Sequence, residues 1–137
     1  MKVVVMDAQG GGIGRALVAG LKEALPSQPV IAVGTNALAT SAMLKAGADQ
    51  GATGENAIAV CARDADLILA PIGMVLCDAM LGEVTEKMAL AIGRSPAHKI
   101  LIPVSRCQTT VAGLPGGTTI SQAVADAVRQ AAQRVSG

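Results

Sequence analysis

The sequence predicts an α/β fold, built as a single doubly wound, mostly parallel five-stranded sheet with strand order 3-2-1-4-5 and helices on both faces. Three observations predict it. Short apolar segments alternate with helical segments along the 137 residues. The strand segments are apolar at nearly every position, which is typical of strands covered on both faces. A glycine-rich turn joins the first strand segment to the first helical one.

The strands are predicted from short runs rich in Val, Ile and Leu. They cover residues 2–6, 30–33, 48–52, 67–70 and 99–103. The third, unlike the others, is not rich in these residues and is predicted to be a short strand at an edge of the sheet. Neither a linker nor a tandem repeat interrupts the alternation, so residues 1–137 are predicted to form one Rossmann-like domain.

The helices are predicted from apolar residues at helical spacing and from capping signals. In the first, Ile13, Leu17, Leu21 and Leu25 recur every four residues before Pro26. Further helices are predicted at residues 37–46, about 55–63, and 74–93 as a stretch broken near Gly82. The last runs from residue 118 or 119 to about 135, and its start has the form of a capping box.

Composition narrows the class of protein. Charged residues make up 15% of the chain, hydrophobic residues 51%, and the net charge is +1. This composition argues against disorder, and the lack of a basic stripe and of aromatic residues argues against nucleic-acid binding. The longest apolar run, residues 67–77, is too short to cross a bilayer as a helix. We therefore expect a soluble cytoplasmic protein without membrane contact.

The cysteines and the histidine indicate no metal site. Cys61, Cys77 and Cys107 are widely spaced and the chain has one histidine, His98. We expect buried structural thiols, with Cys107 beside Arg106 as the exception that could be reactive.

The strongest functional signal is the turn after the first strand. Its candidate ligand-binding residues are Gln9, Gly10, Gly11, Gly12, Ile13 and Gly14. The first amides of a helix have no internal partners, and glycine lets an anion approach them. The turn therefore predicts a phosphate or nucleotide site, resting on unpaired amides of the three consecutive glycines. The alternative is a tight strand–helix turn with no ligand.

The turn resembles that of short-chain dehydrogenases, because Gly12-Ile13-Gly14 matches the end of their glycine motif. That resemblance implies a nicotinamide dinucleotide, NAD(P), as the ligand. The catalytic Tyr-x-x-x-Lys pair of those enzymes cannot exist here, because the chain contains no tyrosine.

Residues after the other strands are expected at the same edge of the sheet. They are Thr35, Asn36, Pro71, Ile72 and Gly73, together with Ser105, Arg106 and Cys107. NAD sites usually carry an acid after the second strand, whereas Thr35 and Asn36 are neutral. Both residues could hydrogen-bond a ribose or cap the second helix. Pro71-Ile72-Gly73 could contact a nucleotide or form a simple bend.

Proton-transfer groups for an enzyme are few at this edge, and whether the protein is an enzyme stays open. The candidates are Asp7, Asp78, Arg106 and Cys107, and Glu83 lies near the predicted helix break. Asp7 ends the first strand, so its carboxylate could point into the cleft. It would also repel a phosphate placed too close to it.

Four strings together resemble a family of short bacterial proteins catalogued as domain of unknown function 3842. They are QGGGIG at 9–14, GTNALATSAM at 34–43, GATGENA at 51–57 and PIG at 71–73. The resemblance implies a Rossmann-like fold in a bacterial cytoplasm and carries no activity.

Two functional classes therefore remain, and the first includes a small enzyme that uses its nucleotide. One is a protein that binds a phosphate-containing nucleotide, NAD(P) or another, at the glycine turn. The other is a homo-oligomeric structural or regulatory subunit without ligand chemistry. The mean hydropathy of +0.50 favours an oligomer in either case, and we expect at least a homodimer, through an edge strand or the last helix.

Overall fold

The computed structural model describes residues 1–104 and 108–137. Its sheet consists of five parallel strands in the order β3-β2-β1-β4-β5. The strands are β1 (Val3–Asp7), β2 (Val30–Gly34), β3 (Gln50–Thr53), β4 (Leu67–Pro71) and β5 (His98–Ile102). The predicted α/β fold, its parallel sheet and its strand order are confirmed.

The described residues contain five α-helices and one short 3-10 helix at Ile72–Val75. The α-helices are α1 (Gly12–Ala24), α2 (Ala37–Lys45), α3 (Glu55–Asp64), α4 (Glu86–Arg94) and α5 (Ile120–Ser136). Helices α1, α2 and α5 contribute to the apolar core on one face of the sheet, and α3 and α4 to the core on the other. The sheet is therefore doubly wound, as predicted. None of the helices described here is both long and apolar enough to cross a membrane.

The central strands show why the apolar runs have no alternation. Val3 and Val5 of β1 pack into the core beneath α1, α2 and α5, whereas Val4 and Met6 pack into the core beneath α3 and α4. All five residues of β1 and of β4 are buried. A strand with helices on both faces buries every side chain, so the period-two pattern disappears.

The register brings the ends of three strands together. Asp7, the last residue of β1, pairs with Gly34, the last residue of β2. Strand β4 runs parallel to β1 on its other side and ends at Pro71. The segments that follow β1, β2 and β4 therefore leave the sheet at one edge, where open α/β sheets bind ligands.

The prediction of a broken helix over 74–93 is wrong in its first half. After the 3-10 helix the chain forms a turn-rich segment, residues 76–84, and α4 begins only at Glu86. Asp78, Met80 and Leu81 have left-handed backbone conformations, which an α-helix cannot contain. The Thr85 hydroxyl accepts a hydrogen bond from the Met88 amide at 3.2 Å, so the helix starts at a side-chain cap.

The expectation of buried thiols is also wrong for Cys77. This residue lies in the 76–84 segment and is exposed, whereas Cys61 on α3 is half-buried. The apolar neighbours of Cys77 in the sequence suggested burial. The turns of the segment instead direct Ala79 and Val84 into the core and leave Cys77 outside.

Candidate functional site

A cavity of about 590 Å³ opens above the glycine turn at the carboxyl ends of β1 and β4. Protein sites for small organic ligands have volumes of roughly 300–1,000 Å³. The described residues that line it are Asp7, Ala8, Gln9, Gly10, Gly11, Gly12, Ile13, Pro71, Gly73, Met80, Leu81, Val104 and Ile120. The cavity thus joins a polar backbone surface to an apolar wall.

The glycine turn forms the polar side of the cavity, and its middle glycine is required by packing. Gly11 has φ 72°, and a Cβ there would lie 2.8 Å from the Cα of Ala39 in α2. By contrast, a Cβ at Gly10 or Gly12 would meet no atom within 4 Å. Gly11 therefore serves the close approach of the turn to α2, whereas Gly10 and Gly12 leave space above the backbone.

One of the three glycine amides of the turn already donates a hydrogen bond within the protein. The Gly11 amide donates to the carbonyl of Ala8 at 3.0 Å, so the expectation of three unpaired amides is wrong at this residue. In the part of the chain that the structure describes, the amides of Gly10 and Gly12 have no hydrogen-bond partner. These two donors flank Gly11 and line the cavity.

The carboxylate of Asp7 accepts hydrogen bonds from two other amides near the turn. Its Oδ2 accepts a hydrogen bond from the Gly14 amide at 2.7 Å, and its Oδ1 accepts one from the Ala8 amide at 2.7 Å. The side chain lies at the start of α1, where the helix dipole favours a negative charge. Its carboxylate therefore binds the turn from within, and the residue also lines the cavity.

The burial of Asp7 changes its titration. The residue is only 4% exposed, and loss of hydration raises the pKa of its carboxyl above the usual value of 3.8. The amides of Gly14 and Ala8 oppose this by stabilising the carboxylate, and the nearby charge of Glu83 adds to the rise. Protonation of Asp7 would reduce the negative charge beneath the glycine turn.

A second carboxylate, that of Glu83, also binds the turn. Glu83 accepts hydrogen bonds from the Gln9 amide at 2.5 Å and from Asn36 Nδ2 at 3.0 Å. Asn36 Nδ2 also donates to the carbonyl of Gln9 at 3.0 Å. We call these three residues the Glu83 bridge. It connects the segment after β4 to the ends of β1 and β2.

Asn36 also caps a helix. Its Oδ1 accepts a hydrogen bond from the Ala39 amide at 2.9 Å, at the first turn of α2. Of the two roles left open for Asn36, the capping role is present in the structure. Thr35 donates its amide to the carbonyl of Asp7 at 3.0 Å and so continues the link between the ends of β1 and β2.

The apolar wall comes from the segments after β4 and β5 and from the start of α5. Pro71 and Gly73 lie at the end of β4, and Met80 and Leu81 belong to the 76–84 segment. Leu81 is fully exposed, at 104% of its reference area, and has a left-handed φ of 58°. A large apolar side chain held in this way at the mouth of a cavity is unusual, because both the exposure and the conformation are unfavourable.

The structure brings together seven of the eleven predicted site residues. Gln9, Gly10, Gly11, Gly12, Ile13, Pro71 and Gly73 line the cavity. Gly14 lies behind it against Asp7, and Ile72 lines a different groove beside β5 and α5. Thr35 and Asn36 are not among the cavity-lining residues. Ser105, Arg106 and Cys107 lie outside the described residues.

Sequence reasoning missed the apolar wall. Met80, Leu81, Val104 and Ile120 line the cavity although they lie far from the glycine turn in the chain. Gly82 was the one signal near Leu81, because it marked a break in helical periodicity. The other predicted acid–base candidate, Asp78, lies in a neighbouring depression and does not line the cavity.

Comparison with known proteins gives one match. A family model described as a domain of unknown function (DUF3842) matches residues 2–136. No curated protein and no solved structure matches the chain.

Proposed function

The chain belongs to the DUF3842 family, whose description names no activity, and we propose from the site itself that it binds a phosphate-containing nucleotide in the cavity above the glycine turn. NAD(P) and mononucleotides are both within this class. We extend the proposal to a cytoplasmic setting, where such nucleotides are abundant. It includes no reaction, because Asp7, the acid that lines the cavity among the described residues, is bound to the amides of Gly14 and Ala8.

One observation carries the proposal. The Gly10 and Gly12 amides have no partner among the described residues, and both line a cavity large enough for a nucleotide. The two glycines add no side chain that would keep a phosphate away. Backbone amides at the start of a helix bind phosphate oxygens well, because the helix dipole supports the negative charge.

The apolar wall supports a nucleotide over inorganic phosphate. A nucleobase has flat apolar faces and needs a surface on which to lie, and Pro71, Met80 and Leu81 offer one beside the turn. Ligand sites generally combine such a wall with a few placed polar groups. The phosphate end would then contact the turn, and the base would contact the wall.

The direct test is equilibrium dialysis with ultraviolet detection of the ligand. The chain has no Phe, Tyr or Trp, so almost all absorbance at 260 nm comes from the nucleotide. We expect AMP, GMP, CMP, UMP, NAD⁺ or NADP⁺ to be retained by the protein, and the corresponding nucleoside to bind at least about tenfold more weakly. Retention of none of these nucleotides would refute the proposal.

A pair of glycine variants tests the location of the site. Gly10→Ala and Gly12→Ala combined place two methyl groups above the turn without a clash in the protein. We expect nucleotide affinity to fall by about tenfold or more while the free energy of unfolding stays within about 1 kcal/mol. Gly93→Ala is the matched control, because a Cβ there also meets no atom within 4 Å but lies on α4. Equal affinity of the double variant and the control would place the ligand elsewhere.

A second candidate function is that of a homo-oligomeric structural or regulatory subunit. A groove of about 530 Å³ runs between the edge strand β5 and the last helix α5, and it is mainly apolar. Leu114 and Val111, which line it, are exposed. We propose this groove as the dimer contact, and the dimer is compatible with nucleotide binding at the other site.

A further inference from the structure

We propose that the cavity accepts a single nucleotide unit and excludes dinucleotides such as NAD(P), because the Glu83 bridge closes one side of the crevice. This inference rests on the proposed nucleotide site and names the ligand class that fits it.

The argument starts from the space that a dinucleotide needs. In doubly wound sheets a dinucleotide lies across the switch point in the strand order, with its pyrophosphate at the glycine turn. Its two nucleoside halves then extend to opposite sides of the turn. Here the switch point lies between β1 and β4, and the two sides are the end of β2 and the end of β4.

The side toward β4 is open. The cavity extends from Gly10 and Gly12 to Pro71 at the end of β4 and Gly73 just after it, and further to Val104 after β5. This side holds the apolar wall, so it offers room and contacts for one base.

The side toward β2 is closed by the protein. The three residues of the Glu83 bridge join one another by hydrogen bonds of 2.5, 3.0 and 3.0 Å, and both carboxylate oxygens of Glu83 take part. Because Glu83 follows β4 and Asn36 follows β2, the bridge passes over the end of β1. A second nucleoside half would have to displace it.

The bridge is held firmly at its base. Within the 76–84 segment, Asp78 donates its amide to the carbonyl of Val84 at 2.8 Å, and Val84 donates its amide to the carbonyl of Ala79 at 3.2 Å. Ala79 and Val84 are buried in the core beneath α3 and α4. The position of Glu83 is therefore set by a packed loop, and at the other end Asn36 is held by its role as the cap of α2.

The charge of Glu83 also disfavours the binding of a dinucleotide. A carboxylate in hydrogen-bonding contact with the Gln9 amide repels a second phosphate, and the 2′-phosphate of NADP most of all. A mononucleotide bound toward β4 brings one phosphate to the turn instead of two, so the Glu83 carboxylate repels it less.

The test compares NAD⁺ with its own two halves, AMP and nicotinamide mononucleotide, by equilibrium dialysis of the unmodified protein. GMP, CMP and UMP are included so that the base does not limit the result. We expect the tightest mononucleotide to bind at least about tenfold more tightly than NAD⁺, and NADP⁺ to bind no better than NAD⁺. NAD⁺ binding as tightly as, or more tightly than, every mononucleotide overturns this inference and leaves the proposed nucleotide site standing.

A variant then tests the Glu83 bridge itself. Glu83→Ala removes both hydrogen bonds to the carboxylate and opens the side toward β2, so we expect NAD⁺ affinity to rise and the preference to shrink by about tenfold. Glu86→Ala removes one acidic charge from the exposed first turn of α4 and is expected to leave the preference unchanged. Glu83→Ala could retain native far-ultraviolet circular dichroism and still prefer mononucleotides over NAD⁺ as strongly as the unmodified protein. In that case the Glu83 bridge does not cause the preference. If the variant does not fold, the comparison in the unmodified protein decides. Absence of binding by every nucleotide refutes the proposed function itself.

Discussion

At the scale of single residues, the most informative group is the buried carboxyl of Asp7. It ends β1, lies under the glycine turn, and accepts hydrogen bonds from two backbone amides. The same residue thus lowers the number of amides open to a ligand and supplies a negative charge inside the fold. Its raised pKa shows that burial outweighs these amide contacts.

The raised pKa of Asp7 predicts a pH dependence of stability. In the unfolded chain the carboxyl titrates near 3.8, and in the folded protein it titrates higher, so between these two values the folded state binds more protons. The free energy of unfolding contributed by Asp7 is therefore fully present below 3.8 and falls as pH rises through the folded pKa, by about 1.4 kcal/mol for a pKa difference of one. We expect the stability of the unmodified protein minus that of Asp7→Asn to decrease over this range in urea unfolding followed by circular dichroism.

Asp49 provides the control with the opposite sign. The amide of Val30 and the ammonium of Lys22 lower the pKa of this exposed carboxyl. Its contribution to stability is present above 3.8 and is lost as pH falls through the lower, folded-state value. The free energy of unfolding of the unmodified protein minus that of Asp49→Asn is therefore expected to increase with pH. A difference for Asp7→Asn that also increases, or stays constant, would contradict the role of burial.

At the scale of elements, the 76–84 segment is where local conformation and solvation are least favourable. It places left-handed residues before Gly82 and presents Leu81 to solvent at the cavity mouth. Its base is packed in the core through Ala79 and Val84. A firmly held loop with an exposed apolar tip suits a site that binds the flat face of a base.

Leu81→Asn is expected to raise stability while it weakens nucleotide binding. Asparagine tolerates the left-handed conformation better than leucine, and the fully exposed leucine contributes no burial, so we expect a gain of up to about 1 kcal/mol in the free energy of unfolding. Nucleotide affinity should fall several-fold because the wall loses an apolar contact.

Leu38→Asn is the matched control for this change. Leu38 is also exposed, but it lies in α2 with a helical backbone, where asparagine is the weaker helix former. We expect no gain in stability and no change in nucleotide affinity. If both variants change the free energy of unfolding and the nucleotide affinity alike, the left-handed conformation of Leu81 does not explain the effect of Leu81→Asn.

At the scale of the whole molecule, the chain combines a mean hydropathy of +0.50 with nine exposed large hydrophobic side chains among the described residues. The exposed large hydrophobic residues among those described are Met1, Leu38, Leu44, Val60, Leu81, Leu90, Val111, Leu114 and Ile120. Scattered exposed side chains are ordinary, whereas a mainly apolar groove that includes two of them, Val111 and Leu114, favours an interface. The groove between β5 and α5 is such a place.

The expected oligomer is a dimer through that groove. Light scattering coupled to size exclusion should give a mass of twice the 13.6 kDa chain. Leu114→Glu places a charge in the groove and should shift the mass toward that of one chain. Leu38→Glu makes the same change on α2 and should leave the dimer intact. A single-chain mass for the unmodified protein would remove the proposed dimer.

The sequence by itself predicted the sheet order, the location of the glycine turn and every helix except the first half of the one expected over residues 74–93. These follow from local signals, because apolar runs, helical periodicity and caps such as that of Thr119 act over a few residues. Only the tertiary structure decided which amides of the turn stay open. Asp7 and Glu83 bind the turn from seven and seventy-four residues away, and the apolar wall comes from three separate segments. Such contacts depend on which distant segments lie together in the fold, and the apolar pattern of neighbouring residues does not specify that.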